Sequence, residues 1–263
     1  MWEVLRIVLW VVVGLVGLLM AYFVFACVCS LFVNKNKDYV KDSKFYRFLL
    51  HSITAIVLWV SNVKIHFNGK EKIPQEGRFL VVCNHRSNYD ALCTWNSFLG
   101  YNLSCISKPS NFKIPFFSMI AKRCCFMSID RDNARNAVKT VNLASELMTS
   151  DEVNVLVFPE GTRSKTKELL PFHNMMFRIA QKAQVPIVVC SICGTENVHK
   201  RAPFRRTHVY LDVLEVVPTE FVLENHTSVL GERISATMTA NLKERDATVN
   251  AEKTKPQEKQ ETK

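Results

Sequence analysis

The chain has 263 residues, nearly half of them apolar, with 17 Phe and a formal net charge of +10. That length holds one sizeable domain with a real core plus an appended element. The positive balance favours an anionic partner, and the lack of paired Cys/His finger spacing, an aromatic RNP pattern or a heptad-linked basic region argues against nucleic acid and for membrane and phosphate.

From Ile7 to Val33 there is no charged residue. As a helix this stretch rises about 40 Å, more than the roughly 30 Å of a hydrocarbon core. A cleaved signal peptide would carry a shorter apolar region and a small-residue cleavage site. Residues 1–33 are therefore expected to form a retained transmembrane anchor. Lys35, Lys37, Lys41, Lys44 and Arg47 follow it, whereas Arg6 before it is offset by Glu3. Positive flanks stay inside, so the rest of the chain is expected on the cytoplasmic side, bound to the membrane, with the Asn-x-Ser/Thr matches at Asn102 and Asn225 unused.

Residues 34–62 make a basic linker and most of a second apolar segment, Phe48 to Val63, broken by His51, Ser52, Thr54 and Ser61. It is short for a span and fits a helix that lies in the interface or folds back on the first. Alternation starts at Val63-Lys64-Ile65-His66-Phe67, a strand closed by Asn68-Gly69. Phe79 to Cys83 and Val153 to Phe158 are continuous apolar runs, the pattern of buried parallel strands. Leu103 to Ile106, Phe126 to Ile129, Ile187 to Ser191 and His208 to Val217 read as further strands. Helical patterns lie between and after them: one near Asp90, one capped by Asp132 with Ala134, Ala137, Val138, Val141, Ala144 and Met148 on a face, one around Met175 to Ala183, and one carrying Leu230, Ile234 and Met238. The expected class is α/β, a largely parallel sheet flanked by helices over residues 63–246. Residues 247–263, rich in Lys, Glu and Gln, read as a disordered charged tail.

Nine cysteines with mostly apolar neighbours read as reduced core residues. Cys190-Ser191-Ile192-Cys193 has redox or zinc spacing, but it lies in an apolar run and has no second pair, so alternating residues of a buried strand are the simpler reading and no metal is expected.

Three strand ends carry chemistry. His85 follows the strand ending at Cys83, and Ser87 or Asn88 can cap a helix that puts Asp90 in its first turn. An Asp on one imidazole nitrogen leaves the other to take a proton from a hydroxyl, although a lone His-x4-Asp can equally be a cap that ties loop to helix. Phe158 to Ser164 follows another buried strand. Gly161 permits positive φ, Thr162 and Ser164 supply hydroxyls, Arg163 offers a phosphate fork, and Glu160 calls for a partner such as an arginine. Arg131, after Ser128-Ile129-Asp130, is either a second phosphate ligand or a surface charge. Without a Gly-x-Ser-x-Gly elbow or a supported Cys, the pattern suits direct attack by a substrate hydroxyl.

At these residues the chain resembles the glycerolipid acyltransferases, specifically those acting on 1-acylglycerol-3-phosphate. Asn84, His85 and Asp90 match the Asn-His-x4-Asp block, and Phe158 to Ser164 match Phe-Pro-Glu-Gly-Thr-Arg-Ser without a change. In the Gly-x-x-Phe-Ile-x-Arg block Cys125 replaces Gly and Ser128 replaces Phe, while Ile129 and Arg131 remain. Val185-Pro186-Ile187-Val188 resembles the fourth block, and Phe172-His173-Asn174-Met175 has Met where the family usually has Gly. The resemblance implies His85 as general base with Asp90 as its partner. It places Arg131, Glu160, Gly161, Thr162 and Arg163 at the glycerol phosphate, with Asn84 and Pro186 in support. It also implies a lysophospholipid acceptor and an acyl-CoA or acyl carrier protein thioester as co-substrate, without a cofactor. Another acceptor, such as glycerol 3-phosphate, and a non-catalytic lipid-binding protein are the readings to be weighed against it. The basic residues His199, Lys200, Arg201, Arg205 and Arg206 suit anionic lipid, the donor's phosphates or plain solvent. Ile114-Pro115-Phe116-Phe117 is expected either to dip into the membrane or to lie in the core.

Overall fold

The computed structural model describes residues 1–35, 37–130 and 133–254, with side chains through Val249. In chain order the elements are α1 (Trp2–Leu31), α2 (Lys44–Val60), β1 (Val63–Asn68), β2 (Leu80–Cys83), α3 (Asn88–Ser97), β3 (Leu103–Ser107), α4 (Phe117–Arg123) and β4 (Met127–Ser128). Then come α5 (Ala134–Thr149), β5 (Asn154–Val157), α6 (Arg178–Ala183), β6 (Ile187–Cys193), α7 (Val198–Arg201), β7 (Thr207–Val217), α8 (Thr219–Glu224) and α9 (Thr227–Thr254). The α/β class holds. The strands form a seven-stranded sheet in the order β1-β7-β6-β2-β5-β3-β4. Neighbours are parallel throughout except for β6 and β7, which pair antiparallel.

The continuous apolar runs sit centrally because both sheet faces are covered. Along β2, Leu80 and Val82 face α5, α6 and α9, while Val81 and Cys83 face the layer of α2, α3 and α4. All seven residues of β6 are buried, including Cys190 and Cys193, and burial pushes the Cys105 and Cys125 thiols up to about 12. The predicted helix at 175–183 is shorter: Asn174–Phe177 is a 3₁₀ turn that leads into α6. Asn133 caps α5 by accepting from the Asn136 N–H at 3.1 Å, and the expected cap Asp132 lies outside the described residues. Past position 247, where the tail was expected to begin, α9 continues helical to Thr254, tied down by buried Leu242 and Val249; residues 255–263 lie outside the described residues.

α1 is the one helix among the described residues long and apolar enough to cross a membrane. Its N-terminal two-thirds stand clear of the domain, and its last turns dock on α2: Tyr22 bonds Ser52, and the Tyr46 hydroxyl donates to the Cys29 carbonyl at 3.0 Å. The polar breaks in the second apolar segment are contact points of this kind. His51 stacks on Trp95 of α3 at 4.3 Å, Thr54 accepts from Asn96, and Ser61 meets Tyr89 at 2.9 Å. Burial and neighbouring Arg47 hold His51 down at about 4. The segment therefore packs on α1 and on the domain. Phe45, Phe48, Trp59 and Val60 remain exposed. Arg47, counted with the flanking cations, is instead buried and paired to Asp42 at 2.7 Å. Ile114, Pro115 and Phe116 are exposed, so a place in the core fails for them.

Candidate active site

Because β2 and β5 are parallel neighbours, their carboxyl ends bring residues 84–90 and 158–164 to one edge of the sheet, where open α/β sheets bind ligands. Asn84 ends β2 by bonding the Ile192 backbone both ways, donating to its carbonyl at 3.0 Å and accepting from its N–H at 2.7 Å. Ser87 then starts α3 as the N-cap of a capping box whose third helical residue is Asp90. Asp90 is fully buried. Its Oδ2 accepts from His85 Nδ1 at 2.8 Å and from the backbone N–H groups of Arg86 and Ser87, each at 2.6 Å. Its Oδ1 accepts from the Thr195 hydroxyl. With Nδ1 donating to a carboxylate this well held, His85 Nε2 carries the lone pair. The imidazole is one-fifth exposed and stacks on Phe158 at 4.5 Å.

The second loop holds His85 from behind. Glu160 is buried, and its two oxygens accept the backbone N–H groups of His85 at 2.6 Å and Leu170 at 2.9 Å. The expected arginine partner is thus replaced by main chain, which supplies two donors without a second buried charge. Burial pushes the Glu160 carboxyl up, and the Leu170 and His85 N–H groups offset part of that. The Ser164 N–H donates to the His85 carbonyl at 2.8 Å, so the histidine backbone is gripped on both sides. Gly161 takes φ +77°, as the turn after a strand demanded. Thr162 and Arg163 are exposed, and Arg163 has no ion-pair partner among the described residues.

Of the residues singled out from sequence, Asn84, His85, Asp90, Glu160, Gly161, Thr162 and Arg163 come together. Arg131 lies outside the described residues. Pro186 does not join them: its carbonyl accepts from Leu80 N–H at 3.0 Å, at the strand-start edge opposite His85. Its support is to the β2–β6 pairing. Cys125 takes φ +58°, a backbone state that glycine enters freely, so the turn survives the replacement. Met175 lines a cavity of about 330 Å³ with Ile129, Ala137, Phe172, His173 and Met176. The cavity adjoins the second loop, because His173 N–H donates to the Pro159 carbonyl at 2.8 Å.

Two contacts escaped the sequence reading. Thr195 reaches Asp90 from beyond β6. Arg86, inside the first motif, is buried and pairs with Asp246 of α9 at 2.8 Å, bonding the Lys167 carbonyl as well. A capping or pairing residue so far along the chain has no local signature. Among the described residues no group of three His, Cys, Asp or Glu is placed to hold a metal ion.

Residues 64–193 match the family model described as Acyltransferase. The chain is 29% identical over 182 residues to the 1-acyl-sn-glycerol-3-phosphate acyltransferase of Salmonella typhimurium, covering 65% of this chain and 73% of that one. To the human 1-acyl-sn-glycerol-3-phosphate acyltransferase alpha it is 26% identical over 205 residues, 76% of this chain and 69% of the relative. The crystal structure of the 1-acyl-sn-glycerophosphate (LPA) acyltransferase PlsC from Thermotoga maritima superposes with a TM-score of 0.63 at 25% identity, covering 86% of this chain and 89% of that one. The family model and the superposed crystal structure agree: residues 64–193 form an acyltransferase domain, and the chain is an enzyme of the acyltransferase class.

Proposed function

We propose that the protein transfers a fatty acyl group from an acyl-CoA or acyl carrier protein thioester to the free hydroxyl of 1-acylglycerol-3-phosphate, giving phosphatidic acid. The observation that carries this is the His85–Asp90 pair, with Nδ1 committed to a buried carboxylate and Nε2 left as an acceptor at a ligand-binding sheet edge. Nε2 takes the hydroxyl proton as the oxygen attacks the thioester carbonyl, and Asp90 supports the imidazolium that forms. The tetrahedral intermediate then expels the thiolate, which recovers the proton from His85. No cofactor enters these steps; the thioester is a co-substrate.

Gly161, Thr162 and Arg163 receive the glycerol phosphate. Arg163 supplies a planar fork that can hold two phosphate oxygens at once. Arg131 is assigned to the same phosphate by its place in the family block. Glu160 positions rather than touches the substrate, since both its oxygens are engaged by main chain. α1 anchors the chain in the bilayer, and Lys35, Lys37, Lys41 and Lys44 place the domain on the cytoplasmic side.

The test is turnover of the purified full chain with labelled acyl-CoA and acyl carrier protein donors against a panel of lysophosphatidic acid, other lysophospholipids and glycerol 3-phosphate. Preferred formation of phosphatidic acid from lysophosphatidic acid supports the reading. Equal or better use of an acceptor without a terminal phosphate overturns the phosphate assignment.

A further inference from the structure

The five residues 202–206 between α7 and β7 read Ala-Pro-Phe-Arg-Arg, and the surrounding stretch 197–211 contains no acidic residue. Phe204 is 92% exposed, which for so large an apolar ring costs free energy in water. Lys200, Arg205 and Arg206 around it are exposed too. Placement of the loop is not loose: Thr207 N–H donates to the Asn62 carbonyl at 2.9 Å, Asn62 Nδ2 donates to the Pro203 carbonyl at 3.3 Å, and Arg206 Nε donates to Asn62 Oδ1 at 3.3 Å. Asn62 sits two residues beyond the end of α2, so these bonds tie the loop to that end of the helix, where Trp59 and Val60 are 74% and 49% exposed. Phe45 and Phe48, in the first turns of α2, are exposed as well.

We propose that this loop is a membrane foot separate from α1. Phe204 inserts at the interface of the bilayer, and Lys200, Arg205 and Arg206 hold the phosphates of anionic phospholipid. An apolar tip flanked in sequence by cations, on a loop tied to the end of a helix with exposed apolar residues, matches the layering of an anionic leaflet, headgroups outside and acyl chains within. The donor's nucleotide is the other polyanion in reach, but Phe204 is 92% exposed, so little of the described chain packs around its ring to enclose a base. The foot also bears on the site. His199, at the start of the same basic run, packs its ring on Tyr89 at 5.1 Å, and Tyr89 lies between His85 and Asp90 in the chain. A loop seated on the leaflet therefore holds the His85 edge toward the lipid from which an acceptor arrives. The inference rests on α1 being in the bilayer.

The experiment uses the full chain with Phe204→Trp, reconstituted in phosphatidylcholine vesicles with or without phosphatidylglycerol, some made with chain-brominated lipid. Flotation with vesicles is measured first. The emission added by the new tryptophan, relative to the unsubstituted chain, is then read for quenching. Strong quenching that needs phosphatidylglycerol and weakens with salt supports the foot. A second chain, Lys200→Gln/Arg205→Gln/Arg206→Gln in the same background, should float normally but lose most of that quenching. Its KM for a lipid acceptor should rise severalfold in anionic vesicles, with KM for acyl-CoA unchanged. A chain that floats while its added emission stays unquenched overturns the foot and leaves the anchor standing. A raised acyl-CoA KM with an unchanged acceptor KM gives the cations to the donor and overturns it too. A chain that does not float refutes the anchor and the foot together.

Discussion

The loops after β2 and β5 leave the sheet side by side, yet they are built on different terms. In the first, both oxygens of Asp90 are taken, Asn84 is bonded twice, and Arg86 is locked to α9. The second is divided. Glu160 and Ser164 are as fixed as anything in the first loop, while Thr162, Arg163, Lys165 and Thr166 stand in solvent. A group that moves a proton must be within a few tenths of an ångström of its geometry before the substrate comes. A group that binds an anion must still have donors unspent when the anion arrives. In the proposed mechanism, the rigid loop and the rigid half of its neighbour serve the first task, and the free half of the second loop the other.

The sharpest way to break this contrast is at His85. His85→Ala should lower turnover by at least about 10²–10⁴ with fold and membrane association kept, since the backbone at 85 is held by Glu160 and Ser164 whatever the side chain. A folded variant with near-normal turnover ends the assignment. Asp90→Asn should also be severe, but for two reasons: it disturbs the tautomer of His85 and turns an amide toward the buried N–H groups of Arg86 and Ser87. Thermal unfolding in detergent should therefore move more for Asp90→Asn than for His85→Ala.

Glu160 tests whether the second loop serves the first. Glu160→Ala leaves the N–H groups of His85 and Leu170 without an acceptor, a loss of about 1–3 kcal/mol for each buried donor. Turnover should fall with KM for the acceptor little changed, and Glu160→Gln, which keeps one acceptor, should recover part of it. An acceptor KM that rises alone would instead give Glu160 a place in binding.

For the free half, Arg163→Ala should weaken acceptor binding by about 1.5–3 kcal/mol, as expected for a charge-assisted hydrogen bond. Arg163→Lys keeps the charge and loses the fork, so it should fall between the two. Stability should not move, because the side chain is exposed and has no ion-pair partner among the described residues. If the donor's KM rises instead, the arginine serves the thioester's phosphates.

The smallest effect concerns the tie from Arg86 to α9. Burial works against the Asp246 charge, but hydrogen bonds from Arg86 and Cys193 prevail and hold its carboxyl below the ordinary 3.8. A depressed folded pKa adds stability above 3.8 that is lost as pH falls through the folded value. Glu160 has the opposite sign: its raised pKa adds stability below 4.5 that is lost as pH rises through the folded value. Asp246→Asn should flatten the acid side of the stability profile, measured by thermal unfolding, and leave turnover at neutral pH nearly unchanged.

Much of this was legible before any coordinate. Continuous apolar runs of strand length mark strands covered on both faces, and the motifs sit where those runs stop, so the ends of β2 and β5 followed from pattern alone. The uncharged stretch from Ile7 was long enough to name α1, and Ser87 was a candidate cap by its residue type and position. These are local properties: burial, period and turn chemistry are written within a few residues. Partner choice is not. Thr195 stands 105 residues from Asp90, and Asp246 stands 160 from Arg86. Glu160 met main chain instead of arginine because β2 and β5 lie side by side, a fact of strand order. Pro186 lay in the family's fourth block yet fell at the far edge, since β6 runs parallel to β2 and enters the sheet from the side opposite His85. The sequence by itself determined which residues could do the chemistry and which runs would be buried. Only the tertiary structure decided which of them meet, because contacts between distant strands and helices are settled by packing that no local pattern encodes.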